Sequence, residues 1–226
     1  MTRFAPVLLL CLALLAGGCA ATQVAIEKKD LKVETLMSET VFLDLEKQVD
    51  HSVFVDVRNT SDKDLNLRSM IMSKLQDKGY TLAEKPADAG YILQINVLQI
   101  GQADPAALRT SVYGGYGGVL AGGVTGALIG GAAGGGTGAL YGAGIGAVVG
   151  GAADMVAGSL VKDVTYSMIT DVLISEKEKP AKGKPKTPAE KYKTRVASSA
   201  NKVNLKLEEA LPPLQDGLAR SIAGIF

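Results

Sequence analysis

The sequence predicts an α+β fold: one mixed-sheet soluble domain with packed helices, interrupted by a glycine-zipper transmembrane α-helical hairpin. Three observations predict it. Glycine occupies every fourth position of an uncharged run of 44 residues, Thr110–Ala153: Gly114, Gly118, Gly122, Gly126, Gly130, Gly134, Gly138, Gly142, Gly146 and Gly150. Stretches with the two-residue period or β-branched content of strands lie on both sides of that run. The chain closes with Leu207, Leu211, Leu214, Leu218, Ile222 and Ile225 on one helical face.

The start of the chain has the form of a bacterial lipoprotein signal. Arg3 is the positive region, Phe4–Ala16 the apolar region, and Gly17-Gly18-Cys19 the cleavage site. The apolar part is too short to span a bilayer. Ala16 stands where Leu is common in a lipobox, and Ala20 follows the cysteine where Asp would mark inner-membrane retention. The expectation is residues 1–18 removed, Cys19 carrying covalent lipid, and the mature chain held at the outer membrane. Removing Arg3 leaves 23 basic against 23 acidic residues, which gives no electrostatic footprint for nucleic acid. Cys19 is then the one remaining cysteine, so neither an internal disulfide nor a cysteine metal site can form.

Residues 19–109 are expected to form the first part of the domain. Strands are predicted at Leu31–Leu36, Thr40–Leu45 and Ser52–Arg58, the last with Val53, Val55 and Val57 alternating against polar neighbours. Ser61 and Asp64 predict a capped helix over Asp62–Lys78, stopped by Gly79, with Leu67, Met70, Ile71 and Leu75 as its buried stripe. Strands at Tyr80–Ala83 and Tyr91–Ile100 complete this part.

Residues 110–158 are read as the membrane hairpin. A four-residue step keeps one helical face free of side chains, so another backbone can approach it. In water each internal glycine would cost about 0.8–1.0 kcal/mol relative to alanine. A flexible low-complexity loop is the competing reading; nine Val, Leu and Ile residues between Val119 and Val149 set the stretch apart from polar Gly/Ser linkers. Gly134-Gly135-Gly136 is the expected turn between helices at Val112–Ala133 and Gly138–Gly158, with Tyr113, Tyr116 and Tyr141 at the interfaces. Arg109 and Asp154 bracket the run and would either pair or remain solvated. Six strongly apolar residues supply only about −2 to −4 kcal/mol of insertion to the first helix. Packing between several chains is therefore expected to hold the hairpin, giving a homo-oligomeric ring.

Residues 159–226 are expected to form the second part of the domain: a strand at Val164–Ser175, a strand at Tyr192–Ser199 and a helix at Leu205–Phe226. The glycine-rich run links the strands at Tyr91–Ile100 and Val164–Ser175, which are expected to be neighbours in one sheet so that its two ends lie close together. Residues 176–193 are rich in lysine and proline and read as a solvated loop, with anionic lipid or wall polymer as the functional alternative. Pro212 and Pro213 must lie in the first helical turn or mark a kink.

Chemistry is sparse. His51 is the single histidine, so it cannot by itself build a triad or a histidine-rich metal site. Neither a P-loop nor G-x-S-x-G occurs. Gly142–Ala147 matches G-x-G-x-x-G/A, but the four-residue ladder already accounts for its glycines. No catalytic, cofactor or metal site is expected, and no enzyme activity.

Met37-Ser38-Glu39-Thr40, Asn59-Thr60-Ser61-Asp62-Lys63-Asp64, Met168-Ile169-Thr170-Asp171-Val172, Ala200-Asn201-Lys202-Val203-Asn204-Leu205 and Ser221-Ile222-Ala223 resemble the TraT family, the surface-exclusion and complement-resistance lipoproteins of conjugative plasmids and their chromosomal relatives. The resemblance runs along essentially the whole mature chain. It implies lipidation at Cys19, the glycine run as the membrane segment, and an oligomeric outer-membrane protein exposed at the surface. It also implies a non-enzymatic role: obstructing mating-pair contact, so that redundant conjugative DNA transfer is limited, with complement resistance in some members. The implied partners are further copies of the chain, outer-membrane lipid and a component of a donor cell's mating apparatus. The alternative expectation is a chromosomal envelope lipoprotein with a structural or passage-forming role.

Overall fold

The structure, a computed structural model, describes residues 27–44, 50–61, 63–118, 120, 162–177 and 189–226. In chain order its elements are β1 (Lys32–Met37), β2 (Ser52–Asn59), α1 (Leu67–Asp77), β3 (Thr81–Leu82), β4 (Tyr91–Gln102), α2 (Pro105–Tyr113), β5 (Asp163–Glu176), β6 (Glu190–Val203) and α3 (Leu207–Ala223). The described strands form one six-stranded mixed sheet in the order β1-β6-β5-β4-β2-β3. β1, β6, β5 and β4 pair antiparallel in succession, and β2 joins β4 in parallel. A parallel pair needs a crossover; α1 and β3 supply it.

The two faces of the sheet are covered unequally. On one face Val53, Val55, Leu93, Ile95, Met168, Val172, Ile174 and Val196 meet Leu67, Ile71 and Leu75 of α1 and Leu214, Leu218 and Ile222 of α3. The apolar stripes expected of both helices are the ones that pack. α3 comes close to the sheet at Gly217, where a Cβ would stand 2.7 Å from Ser198 Oγ and 2.9 Å from Thr35 Oγ1. Pro212 and Pro213 lie in its second turn, beyond the first-turn position expected, and the helix continues through them to Ala223. On the other face α2 sets Leu108 and Val112 against Ile169 and Ala197.

β4 and β5 are antiparallel neighbours, with Gln102 opposite Tyr166. The glycine-rich stretch thus leaves and rejoins the fold between adjacent strands, as the sequence suggested. Two other expectations shift. Residues 41–44 carry no strand, and Phe42 is 80% exposed. The helix expected from Asp62 begins at Leu67. The Asn59 carboxamide oxygen accepts from Ser61 N and Oγ, and Ser61 Oγ accepts from Lys63 N. These local bonds hold a turn where helix was expected.

The predicted fold class is corrected at the hairpin. Among the described residues no helix is long and apolar enough to cross a membrane. The first membrane helix was expected to begin at Val112, but Val112 is 1% exposed in α2 and packed on the sheet. α2 ends at Tyr113, and Gly115 and Gly117 then adopt φ of +72° and +70°, values that no right-handed helix contains. The architecture is a mixed six-stranded sheet carrying three helices among the described residues. Gly122, Gly126, Gly130, Gly134, Gly138, Gly142, Gly146 and Gly150 lie outside those residues, as do Cys19, Tyr141, Asp154 and residues 178–188 of the Lys/Pro-rich stretch.

Candidate functional site at the root of the glycine-rich segment

The site begins with a helix start. Asp104 accepts hydrogen bonds from Ala106 N at 2.9 Å and Ala107 N at 3.0 Å, and Pro105 occupies the first helical position. The carboxylate thereby satisfies two amides that have no partner inside the helix. The four-residue spacing of Leu108 and Val112 aims both at the sheet. Ser111, between them, is fully buried and donates its hydroxyl to Ala107 O.

Beneath the end of α2 lies a buried ion pair. Asp171 of β5 and Arg195 of β6 are partners in the antiparallel register. Arg195 is 1% exposed, and its Nε donates to Asp171 Oδ1 at 2.7 Å. The rest of the guanidinium is used on the backbone above it. Nη1 donates to Ser111 O at 2.9 Å, and Nη2 donates to Gly118 O at 2.9 Å and to Asp171 Oδ2 at 3.3 Å. Asp171 Oδ2 also accepts from Gly117 N at 2.9 Å. Ser111 O belongs to the last turn of α2, where carbonyls lack helical donors and a positive charge is favoured.

The glycines of this turn have specific duties. Gly117 reaches Asp171 only in the left-handed conformation that glycine adopts without steric cost. At Gly118 a Cβ would stand 2.2 Å from Gly114 O. Of the ten rungs of the ladder, Gly114 thus caps α2 and Gly118 closes the turn onto Arg195. Beside them Tyr113 is 75% exposed and Tyr116 lies under Lys193 Nζ, 5.4 Å from the ring centre. Arg109 is exposed on α2. The arrangement does not activate a nucleophile; it fixes where the glycine-rich segment departs from the sheet.

Sequence reasoning missed Arg195 and Asp171. The signal was Asp171 alone among apolar and hydroxyl residues inside β5, whereas Arg195 stands in a strand that also carries Lys191 and Lys193; the pair becomes legible only once the β5–β6 register is known.

A second feature lies at the end of the sheet where Tyr91 of β4 stands opposite Glu176 of β5. A cavity of about 430 Å³ is bounded by the 37–44 segment, His51, Tyr80, Tyr91 and the turn at Gly224–Phe226. His51 lies 5.4 Å from Tyr80, ring centre to ring centre, and Phe226 meets Tyr80 and Tyr91 edge-on at 5.4 and 5.5 Å. Tyr80 donates its hydroxyl to Phe226 O at 3.3 Å. Burial, and then the nearby Glu176 carboxylate, raise the Tyr80 phenol above its ordinary pKa. No group of three His, Cys, Asp or Glu residues that could hold a metal occurs among the described residues.

The chain matches the family described as Enterobacterial TraT complement resistance protein over residues 30–188 and 181–226. The chain belongs to the TraT family. A TraT complement resistance protein of Escherichia coli is 38% identical over 230 residues, covering 94% of this chain and 93% of that protein. A second from Escherichia coli is 39% identical, covering 100% and 99%. One from Escherichia coli strain K12 is 40% identical, covering 93% and 92%. A PelC variant dodecamer from Paraburkholderia phytofirmans aligns with 87% of this chain and 94% of its own at 8% identity and a TM-score of 0.27, too slight a likeness to bear on the fold. The TraT match spans both the strands that carry Asp171 and Arg195 and the turn they hold.

Proposed function

We propose that this TraT chain is an outer-membrane lipoprotein, acylated on Cys19 and exposed at the cell surface, that assembles with copies of itself and limits redundant conjugative DNA transfer by obstructing mating-pair contact. Family membership across nearly the whole chain carries the proposal. The relatives' names give complement resistance, which is exercised where complement meets the cell, at its outer surface. The Gly17-Gly18-Cys19 site at the end of an apolar leader supports the lipid anchor. Three acyl chains would hold the protein stably, since each buried CH₂ contributes about 0.8 kcal/mol.

In this reading the sheet domain acts as a rigid obstruction and requires no catalysis. The Arg195–Asp171 pair gives each copy the same departure geometry for the glycine-rich segment. Its side-chain-poor rungs offer a close contact surface between copies, and a component of the donor's mating apparatus is the partner excluded.

The test is mating efficiency into recipients that express the chain. Donor transfer should fall relative to an empty recipient and recover with Cys19→Ser, and serum survival should rise with the chain and drop back with Cys19→Ser. Transfer equal to that of the empty recipient would remove the exclusion role and leave an envelope role without it. Size measurement of the detergent-extracted protein checks the assembly: a monomer removes the oligomer.

A further inference from the structure

One turn at the end of the sheet ties together two segments that lead out of the domain. Val203 N donates to Lys28 O at 3.0 Å, and the Lys28 ammonium pairs with Asp163. The next residue, Asn204, has φ +53°, and this left-handed bend lets it grip Lys162 twice. Asn204 N donates to Lys162 O at 2.7 Å, and Lys162 N donates to Asn204 Oδ1 at 2.9 Å. The chain coming from the leader and the chain returning from the uncharged run therefore enter at the same place.

From there β5 runs its 14 residues to the cavity end, about 40 Å away at a rise of roughly 3.3 Å per residue. The cavity end holds His51, Tyr80, exposed Phe42 and the start of the Lys/Pro-rich stretch at Lys177. Cys19 precedes Lys28 by nine residues, so a fully extended tether reaches about 30 Å. That is shorter than the sheet, and it is fastened to the Lys28 end.

We propose that the Lys28–Asp163 end of the sheet is a lipid-facing surface, and that the cavity end is turned away from the bilayer. The proposal rests on the lipid-anchor reading above. Exposed Lys29, Lys162 and Lys206 stand at this end and can meet lipid phosphates. Asp30 is exposed there too and Asp163 is paired with Lys28, so the tether, more than net charge, sets the orientation.

Cys19 is blocked by lipid in the mature chain, so introduced cysteines can be labelled selectively. Lys29→Cys and Lys206→Cys mark one end, and Phe42→Cys and Lys85→Cys mark the other; all four positions are exposed. Each full-length mature variant is reconstituted on phosphatidylethanolamine–phosphatidylglycerol vesicles that contain a headgroup nitroxide lipid. Labels at 29 and 206 should be quenched several-fold more than labels at 42 and 85. Equal quenching at the four sites, or the reverse order, in protein that carries the acyl mass and floats with vesicles would overturn the orientation alone. Protein that lacks the acyl mass and stays in the aqueous fraction would overturn the anchor, and the orientation with it.

Discussion

Arg195 and Asp171 stand directly opposite each other on β6 and β5, and the guanidinium of the first donates to the carboxylate of the second at 2.7 Å beneath the end of α2. Taking two charges out of water is expensive, and removing one partner alone leaves the other buried and uncompensated. Arg195→Met should therefore cost about 3–5 kcal/mol, read as a lower denaturation midpoint. Replacing both, as Arg195→Met with Asp171→Leu, should recover much of that loss. The double variant still lacks the donors to Ser111 O and Gly118 O. Protease cleavage between residues 109 and 120 should therefore remain faster than in the parent. Parental cleavage rates in the double variant would mean that the pair does not hold the turn.

The turn itself makes a sharper prediction. An alanine Cβ at Gly118 would meet Gly114 O at 2.2 Å, and that atom is backbone, so the turn has to move. At Gly115 a Cβ meets nothing within 4 Å, and the obstacle is its φ of +72° alone. Gly115→Ala should cost about 1–2 kcal/mol, the ordinary penalty for a left-handed L-residue. Gly118→Ala should cost more and should also quicken cleavage near residue 118. Thermal unfolding of the two variants side by side checks the order.

Much of this fold was readable before the structure, for a physical reason. β4, β5, β6 and α3 are long, and a long element repeats its period often enough to declare itself. The start of α1 was not readable, because Asn59 and Ser61 form a local turn that competes with helix. Val112 was assigned to the wrong solvent. Its four-residue spacing from Leu108 suits a helix on a protein core as well as one in lipid, and spacing says nothing of what lies opposite. Arg195 and Asp171 looked like separate charges because the residues that join them are 24 positions apart.

Gly217 tests how closely α3 must approach the sheet. Inside a helix, Gly→Ala ordinarily stabilises by up to about 1 kcal/mol. Here the added methyl would lie 2.7 Å from Ser198 Oγ and 2.9 Å from Thr35 Oγ1, which themselves hydrogen-bond at 3.3 Å. Overpacking of this kind costs about 1–3 kcal/mol, so Gly217→Ala should be net destabilising. Adding Ser198→Ala should restore part of the loss by removing the nearer oxygen. A rise in melting temperature for Gly217→Ala alone would mean that the helix can lift away without penalty.

Tyr80 should give the domain an alkaline limit. Its folded phenol is raised above the ordinary value, first by burial and then by Glu176. A group whose folded pKa is raised favours the fold while both states are protonated, below about pH 10. Above that, the unfolded phenol ionises first, and stability falls until the folded phenol ionises as well. Tyr80→Phe removes this titration. It also removes the hydrogen bond to Phe226 O, so the variant should start less stable near pH 8. The gap between parent and variant should then narrow as pH rises past 10, because only the parent loses the Tyr80 contribution. Urea midpoints for the two proteins at pH 8, 9.5 and 11 measure it. A gap that stays constant over that range would show that Tyr80 ionises in the fold as it does in the unfolded chain.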